Sequence, residues 1–244
     1  MSEKSTPKLD DTQSIYLPVS KGFELGGEGK PTWRGWIHTG VLPVVIACGV
    51  LLIVFANGGA AGKVSASIFF AASFLLFGNS ALYHRFNWRP KVKMAFKRID
   101  HANIVLLIAG SWTPMTMLAL PASTGLPLLI TVWSVALAGM AFRVFWVTAP
   151  RWLYVVIYIA MGLAAFIYVN DFFHANAWMM SLIIAGGVFY VAGAIIYALK
   201  KPNPFPKHFG FHEIFHAFTV VAFLCHWTAA LIISLYPLSG SMGG

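Results

Sequence analysis

The sequence predicts an all-α, polytopic membrane protein built as a bundle of seven transmembrane helices, and three observations support this. Hydrophobic residues make up 58% of the chain and charged residues only 10%, with a mean hydropathy of +0.73, a balance too apolar for a soluble globule. The apolar residues fall into uncharged runs of the roughly 20 residues that a spanning helix requires. Basic residues gather between these runs, where the edge of a bilayer tolerates them.

Residues 1–34 carry Lys, Glu, Asp and Gly where a cleavable signal would have an apolar stretch. They read as a polar cytoplasmic tail, with the first span acting as its own insertion signal. Residues 35–236 read as the seven-helix domain and 237–244 as a short C-terminal tail. Crossings are expected at 36–56, 65–84, 101–120, 126–147, 152–170, 177–199 and 213–235. The stretch from His101 to Phe142 contains no Asp, Glu, Lys or Arg and is too long for one span. The turn-forming residues of Leu120-Pro121-Ala122-Ser123-Thr124-Gly125-Leu126-Pro127 divide it in two. Between the last two spans, Lys200-Lys201-Pro202-Asn203-Pro204-Phe205-Pro206-Lys207 cannot continue a helix and is too charged for lipid. Trp33, Trp36, Trp88, Trp152 and Trp178 lie near span ends, as an interfacial aromatic belt requires.

Of the 17 basic residues, all but Lys63 fall on one side of this arrangement. The N-terminal tail holds Lys4, Lys8, Lys21, Lys30 and Arg34. The second-to-third connection holds Arg85, Arg89, Lys91, Lys93, Lys97 and Arg98, the fourth-to-fifth Arg143 and Arg151, and the sixth-to-seventh Lys200, Lys201 and Lys207. The positive-inside rule therefore sets the N-terminus in the cytoplasm and the C-terminus outside it. The formal charge of +9 is a topology signal and an attraction to anionic inner-leaflet lipid. It does not mark a nucleic-acid surface, because the charges form no single basic face.

His212-Glu213-Ile214-Phe215-His216 sets two imidazoles one helical turn apart, on one helix face, at the mouth of a span. The threading above brings Ser80 and His84, also four apart, into the same cytoplasmic layer together with Asp100. Polar groups at membrane depth are costly and usually functional. Three imidazoles with an acid and a hydroxyl suffice for a zinc centre with three protein ligands and an open position, the arrangement of catalytic zinc. Taken singly, His84 could be an interfacial histidine and Asp100 a helix N-cap near Arg98. His38 reads as helix packing more than ligation, and His101 as pointing elsewhere. His208 stands in a Pro-rich stretch before Gly210, where helical register fails. His226 lies about 15 Å farther along the helix at 1.5 Å per residue, and His174 falls on the outer side with Asp171. Cys48 and Cys225 fall within spans and read as packing.

At these residues the chain resembles the hemolysin III branch of the progestin and adipoQ receptor family, which includes the adiponectin receptors. The likeness runs from about Trp36 to Tyr236. It is carried by Ser80-Ala81-Leu82-Tyr83-His84, by Arg98-Ile99-Asp100-His101-Ala102-Asn103-Ile104 with Leu107-Ile108-Ala109-Gly110-Ser111-Trp112-Thr113-Pro114, and by the His212/His216 pair. The resemblance implies a multi-pass protein of a bacterial plasma membrane. It further implies that His84, His212 and His216 bind Zn2+, that Asp100 holds the water on the metal and that Ser80 stands behind the ligands. Where bacterial members carry an acidic residue eight positions before the first-helix histidine, this chain has Lys30, with Glu28 the nearest acid.

Three functions fit this reading. One is a zinc-dependent hydrolase of a membrane lipid, cleaving an amide or ester as a ceramidase does, with Asp100 and Ser80 beside the metal. Another is a non-enzymatic protein with structural zinc that modulates membrane state, senses lipid or permeabilises membranes. The third is an intramembrane zinc protease, because residues 212–216 match H-E-x-x-H with Glu213 as general base, although Glu213 could equally face the cytoplasm or Lys207. The charge division has a direct test. Reporter fusions at Met1 and Gly244 are expected to report opposite sides of the membrane, and fusions active in the same compartment would refute an odd number of crossings.

Overall fold

The computed structural model describes residues 31–146 and 150–244. Tail residues Lys4, Lys8, Lys21, Glu28 and Lys30 lie outside the described residues. The helices are α1 (Trp36–Phe55), α2 (Gly59–Arg85), α3 (Pro90–Ala119), α4 (Ala122–Phe145), α5 (Arg151–Leu163), α6 (Val169–Ala175), α7 (Ala177–Leu199) and α8 (Phe211–Leu235). A 3-10 segment, Ala164–Tyr168, joins α5 to α6, so the two together make one crossing. Among the described residues seven helices are long and apolar enough to cross a membrane, and these residues form an all-helical multi-pass membrane protein.

Several boundaries depart from the sequence reading, each for a local reason. The third span was expected from 101, where the charges stop, but α3 begins at Pro90, which occupies the first helical turn, where its missing N–H costs nothing. Asp100 is therefore inside the helix, and Arg89 holds the N-cap position. Lys63 was expected in a loop before 65; it lies within α2 and its Nζ donates to the carbonyls of Ile53 and Val54 at 2.7 and 2.8 Å. These are end carbonyls of α1 that would otherwise lack a partner. In the fourth span, Pro127 is accommodated inside α4, which starts at Ala122. The fifth crossing continues past 170 to Ala175, carrying Asp171 and His174 in its last turns. α7 starts where expected, at Ala177, because the Asn176 side chain accepts from the Met179 amide at 2.9 Å.

α3 is the central helix. Within its most apolar stretch 78% of residues are buried, against 17% for α7. Its buried hydroxyls bond back into their own helix, Thr113 to the Ala109 carbonyl at 2.8 Å and Thr116 to that of Trp112 at 2.9 Å. No partner from water is then needed. Small residues allow α2 to approach: a Cβ on Gly110 would stand 2.6 Å from the Ala72 Cβ. Outward residues such as Val54, Leu137 and Val188, each about 60% exposed, present an apolar face to lipid. Asn103 Nδ2 donates to the Leu75 carbonyl at 2.9 Å, and Trp227 Nε1 to that of Cys48 at 2.8 Å, tying α3 to α2 and α8 to α1. At the far end, Leu238 and Met242 donate their amides to the carbonyls of Leu118 and Met117, folding the last residues against α3.

At the opposite end, residues 32–35 cross the bundle and pin it. The amides of Thr32 and Trp33 donate to the carbonyls of Lys207 and His208 at 3.0 and 3.2 Å, and Thr32 Oγ1 lies 3.0 Å from His208 Nδ1. Gly35 turns the chain into α1 with φ +82°, against the backbone of His84 and Arg85. A Cβ there would be 2.9 Å from the Arg85 amide nitrogen, which is backbone and cannot rotate away. Gly35→Ala is expected to destabilise the protein by about 1–3 kcal/mol through the left-handed conformation and this contact. A thermal melt of the purified variant checks it, and an unchanged melting temperature would contradict the crowding.

Candidate metal centre

Helix ends bring the chemistry together. His84 lies one residue from the end of α2, Asp100 in the third turn of α3, and His212 and His216 in the first two turns of α8. The start of α8 is set by Gly210 at the N-cap, with the Glu213 carboxylate reaching back to accept the Gly210 amide at 2.9 Å. His212 and His216 then share a face, with ring centroids 4.6 Å apart. The His84 ring stands 4.8 Å from that of His212 and 5.1 Å from that of His216.

One nitrogen from each of His84, His212 and His216 lies within 4.8 Å of the others, so the three form a group that can hold a metal ion. Ligand nitrogens around one tetrahedral ion are about 3.4 Å apart, a difference that side-chain rotation can close. The donor set fits a metal on a second count. Nε2 of His212 and Nε2 of His216 are buried without a hydrogen-bond partner among the described residues, a costly state for polar atoms that a ligated ion would relieve. Three imidazoles suit zinc and later first-row metals, whereas Mg2+ and Ca2+ want oxygen.

Asp100 Oδ2 is 3.7 Å from His84 Nε2, too far for a direct hydrogen bond but close enough for the two side chains to share one polar pocket. Ser80, one turn before His84, is buried and lines the same cavity as Asp100, His212 and His216. That cavity has a volume of about 640 Å³. Beyond the polar end its walls are mostly apolar, both aliphatic and aromatic, with Leu107, Trp112, Phe166, Ile184 and Val191 among them. Val188 and Ile195 of α7 and Leu163 of α5 line it and are also exposed on the outer surface. The cavity therefore opens sideways between α5 and α7, next to the 3-10 break in the fifth crossing.

Glu213 has a different setting from the expected one. It faces neither solvent nor Lys207: its side chain is 1% exposed, Oε1 pairs with the Arg34 guanidinium and Oε2 takes the Gly210 amide. Both oxygens are committed to holding the entry segment onto α8. His38, read from sequence as packing, is fully inside the cluster, with Nε2 2.8 Å from His216 Nδ1. His101 does not simply point away. It lines the cavity, stacks on Tyr154 and bonds the Arg143 guanidinium. Arg143 is 1% exposed with its charge over the Tyr154 ring. It had counted only as a loop charge, and nothing in its sequence neighbourhood marks it as buried. His226 lines the cavity away from the histidine group, its Nδ1 2.9 Å from the Ala222 carbonyl. His208 bonds Thr32 outside the site.

Residues 28–227 match the family described as haemolysin-III related. The chain belongs to that family. It is 36% identical over 183 residues to "Hemolysin-3 homolog" of Bacillus subtilis (strain 168), covering 74% of this chain and 83% of that one. It is 32% identical over 174 residues to "Hemolysin-3" of Bacillus cereus, covering 70% and 76%. A more distant likeness, 24% over 193 residues, is to "Adiponectin receptor protein" of Drosophila melanogaster, covering 71% of this chain and 43% of that protein.

The committed carboxylate of Glu213 separates this site from an H-E-x-x-H protease. Glu213→Gln is expected to keep its metal and to lose roughly 1–3 kcal/mol of stability, because the neutral amide pairs less well with Arg34. Metal analysis and a thermal melt of the variant read both effects. Unchanged stability with loss of a proteolytic activity would instead make Glu213 a general base.

Proposed function

We propose that this haemolysin-III-related protein is a zinc-dependent hydrolase of a membrane lipid, acting on an amide or ester in membrane homeostasis. The observation that carries the proposal is a three-imidazole group with Asp100 beside His84, whose His212 and His216 rings and Asp100 carboxylate line one end of an apolar cavity open sideways to lipid. In this reading His84, His212 and His216 are the zinc ligands, Asp100 and Ser80 are the catalytic partners, and the site faces the cytoplasm.

When bound, the ion supplies Lewis acidity, polarising a carbonyl and acidifying water. The chain's own residues supply the rest. Asp100 Oδ2, across the 3.7 Å gap from His84, holds the attacking water and takes its proton, which then passes to the departing amine or alcohol as the C–N or C–O bond breaks. Ser80 offers a buried hydroxyl on the His84 face as a donor to the carboxylate or the ligands. The apolar walls bind an acyl chain and exclude bulk water, which strengthens each polar contact at the reacting end.

A second reading has its own observation: the histidines join α2 to α8, as a structural zinc clamp would, and the name "Hemolysin-3" of the Bacillus cereus relative points to a non-enzymatic, membrane-perturbing role. Asp100→Asn separates the two. A hydrolase is expected to keep the fold and most of the zinc while losing about 10²–10⁴-fold in lipid turnover, whereas His84→Ala loses both. A clamp predicts an Asp100→Asn strain with an unaltered lipid profile. Zinc content, melting temperature and lipidomics of the two variants beside wild type give the answer, and wild-type protein without zinc would remove both readings.

A further inference from the structure

His38 is the one member of the histidine cluster that the metal group does not use. It sits in the first turn of α1 and is 2% exposed. Its Nε2 and Nδ1 lie 2.8 and 3.0 Å from His216 Nδ1, with the two rings crossed at 74° and their centroids 3.9 Å apart. Phe77 packs edge-on against the His38 ring at 4.9 Å and holds its plane. The group whose nitrogens all lie within 4.8 Å of one another is His84, His212 and His216. His38 thus meets His216 at Nδ1 and not at the unpartnered Nε2.

The two nitrogens of His216 are differently placed. Nδ1 has His38 beside it, while Nε2 is buried without a partner among the described residues. Of the neutral tautomers, only the one carrying its proton on Nδ1 satisfies both atoms, donating to a His38 nitrogen and leaving the Nε2 lone pair for a metal. With the proton on Nε2, a buried N–H would point at the cation site.

We propose that His38 is a positioning residue for the metal centre, accepting the Nδ1–H of His216 and thereby fixing the tautomer and ring orientation that present Nε2 to the ion. This rests on the metal-centre reading above and adds to it a contribution from α1, a helix that carries none of the three ligands. A ligand histidine commonly gives its second N–H to a carboxylate or carbonyl; here another imidazole takes that place. The arrangement also gives a buried polar side chain in a membrane-spanning helix its partner.

The test uses the full chain in detergent with Co2+ alone as the probe. His38→Phe keeps a ring against Phe77 but removes the acceptor, and is expected to weaken Co2+ binding by roughly 10–100-fold. His38→Gln restores an acceptor near the Nε2 position and is expected to recover most of that loss, with the visible d–d spectrum of wild type. Wild-type affinity in His38→Phe would overturn the proposal, as would a His38→Gln variant as weak as His38→Phe, which would mark His38 as packing alone. A d–d spectrum showing one nitrogen donor fewer in both variants would make His38 a ligand and also overturn it. Wild-type protein needs no variant to fold: ¹⁵N NMR with diamagnetic Zn2+ bound is expected to find His216 protonated at Nδ1, and a proton-free Nδ1 would contradict the proposal. Wild type that binds neither metal would defeat the metal centre itself, an outcome distinct from failure of the His38 contact alone.

Discussion

Hydrocarbon offers no hydrogen bonds, so each segment of this chain that crosses the membrane must satisfy its own backbone, and among the described residues it does so with helices. This constraint governs where chemistry can be put. Buried hydroxyls in the middle of α3 are consumed by carbonyls of their own helix. The titratable groups His38, His84, Asp100, His212 and His216 instead gather toward one side of the bundle, near the ends of α1, α2 and α8 and in the third turn of α3. Side chains from four helices can meet there without any helix being broken.

Holding four helix ends in register needs more than lipid-facing packing, because apolar side chains gain little by leaving an apolar solvent. Directional contacts do this work. The strap formed by residues 32–35 bonds to the α7–α8 connection, Gly35 lies against the end of α2, and the Arg34–Glu213 pair closes over the first turn of α8. Glu213 thereby does two things at once: it caps the helix that carries His212 and His216, and it anchors the arginine that precedes α1. The residue that makes the local sequence look like a protease motif is the one that fixes the geometry of the histidines on either side of it.

The sideways opening lies beside the fifth crossing. α5 gives way to a 3-10 segment at Ala164, and a tighter, shorter-lived helix type shifts the register of the side chains that follow it. The gap between α5 and α7 joins the polar end to the lipid-facing surface. A water-soluble substrate would gain nothing from such a route, whereas the acyl chain of the proposed substrate would pass from bilayer to cavity without meeting water.

The sequence by itself determined the membrane class, the seven crossings and the grouping of His84, Asp100, His212 and His216, since hydropathy and four-residue spacing are local properties that the bilayer converts directly into position. It misjudged where α3 begins, because charges mark where lipid stops and not where a helix does: the Pro90 turn extends beyond the apolar run. Tertiary structure alone decided the partners. Arg34 meets Glu213 across 179 residues and His38 meets His216 across 178, and Arg143 turns inward onto His101 and Tyr154. None of these has a periodic signal, because a side chain's rotation about its helix axis is set by neighbouring helices and leaves no mark in the composition or spacing of its own segment.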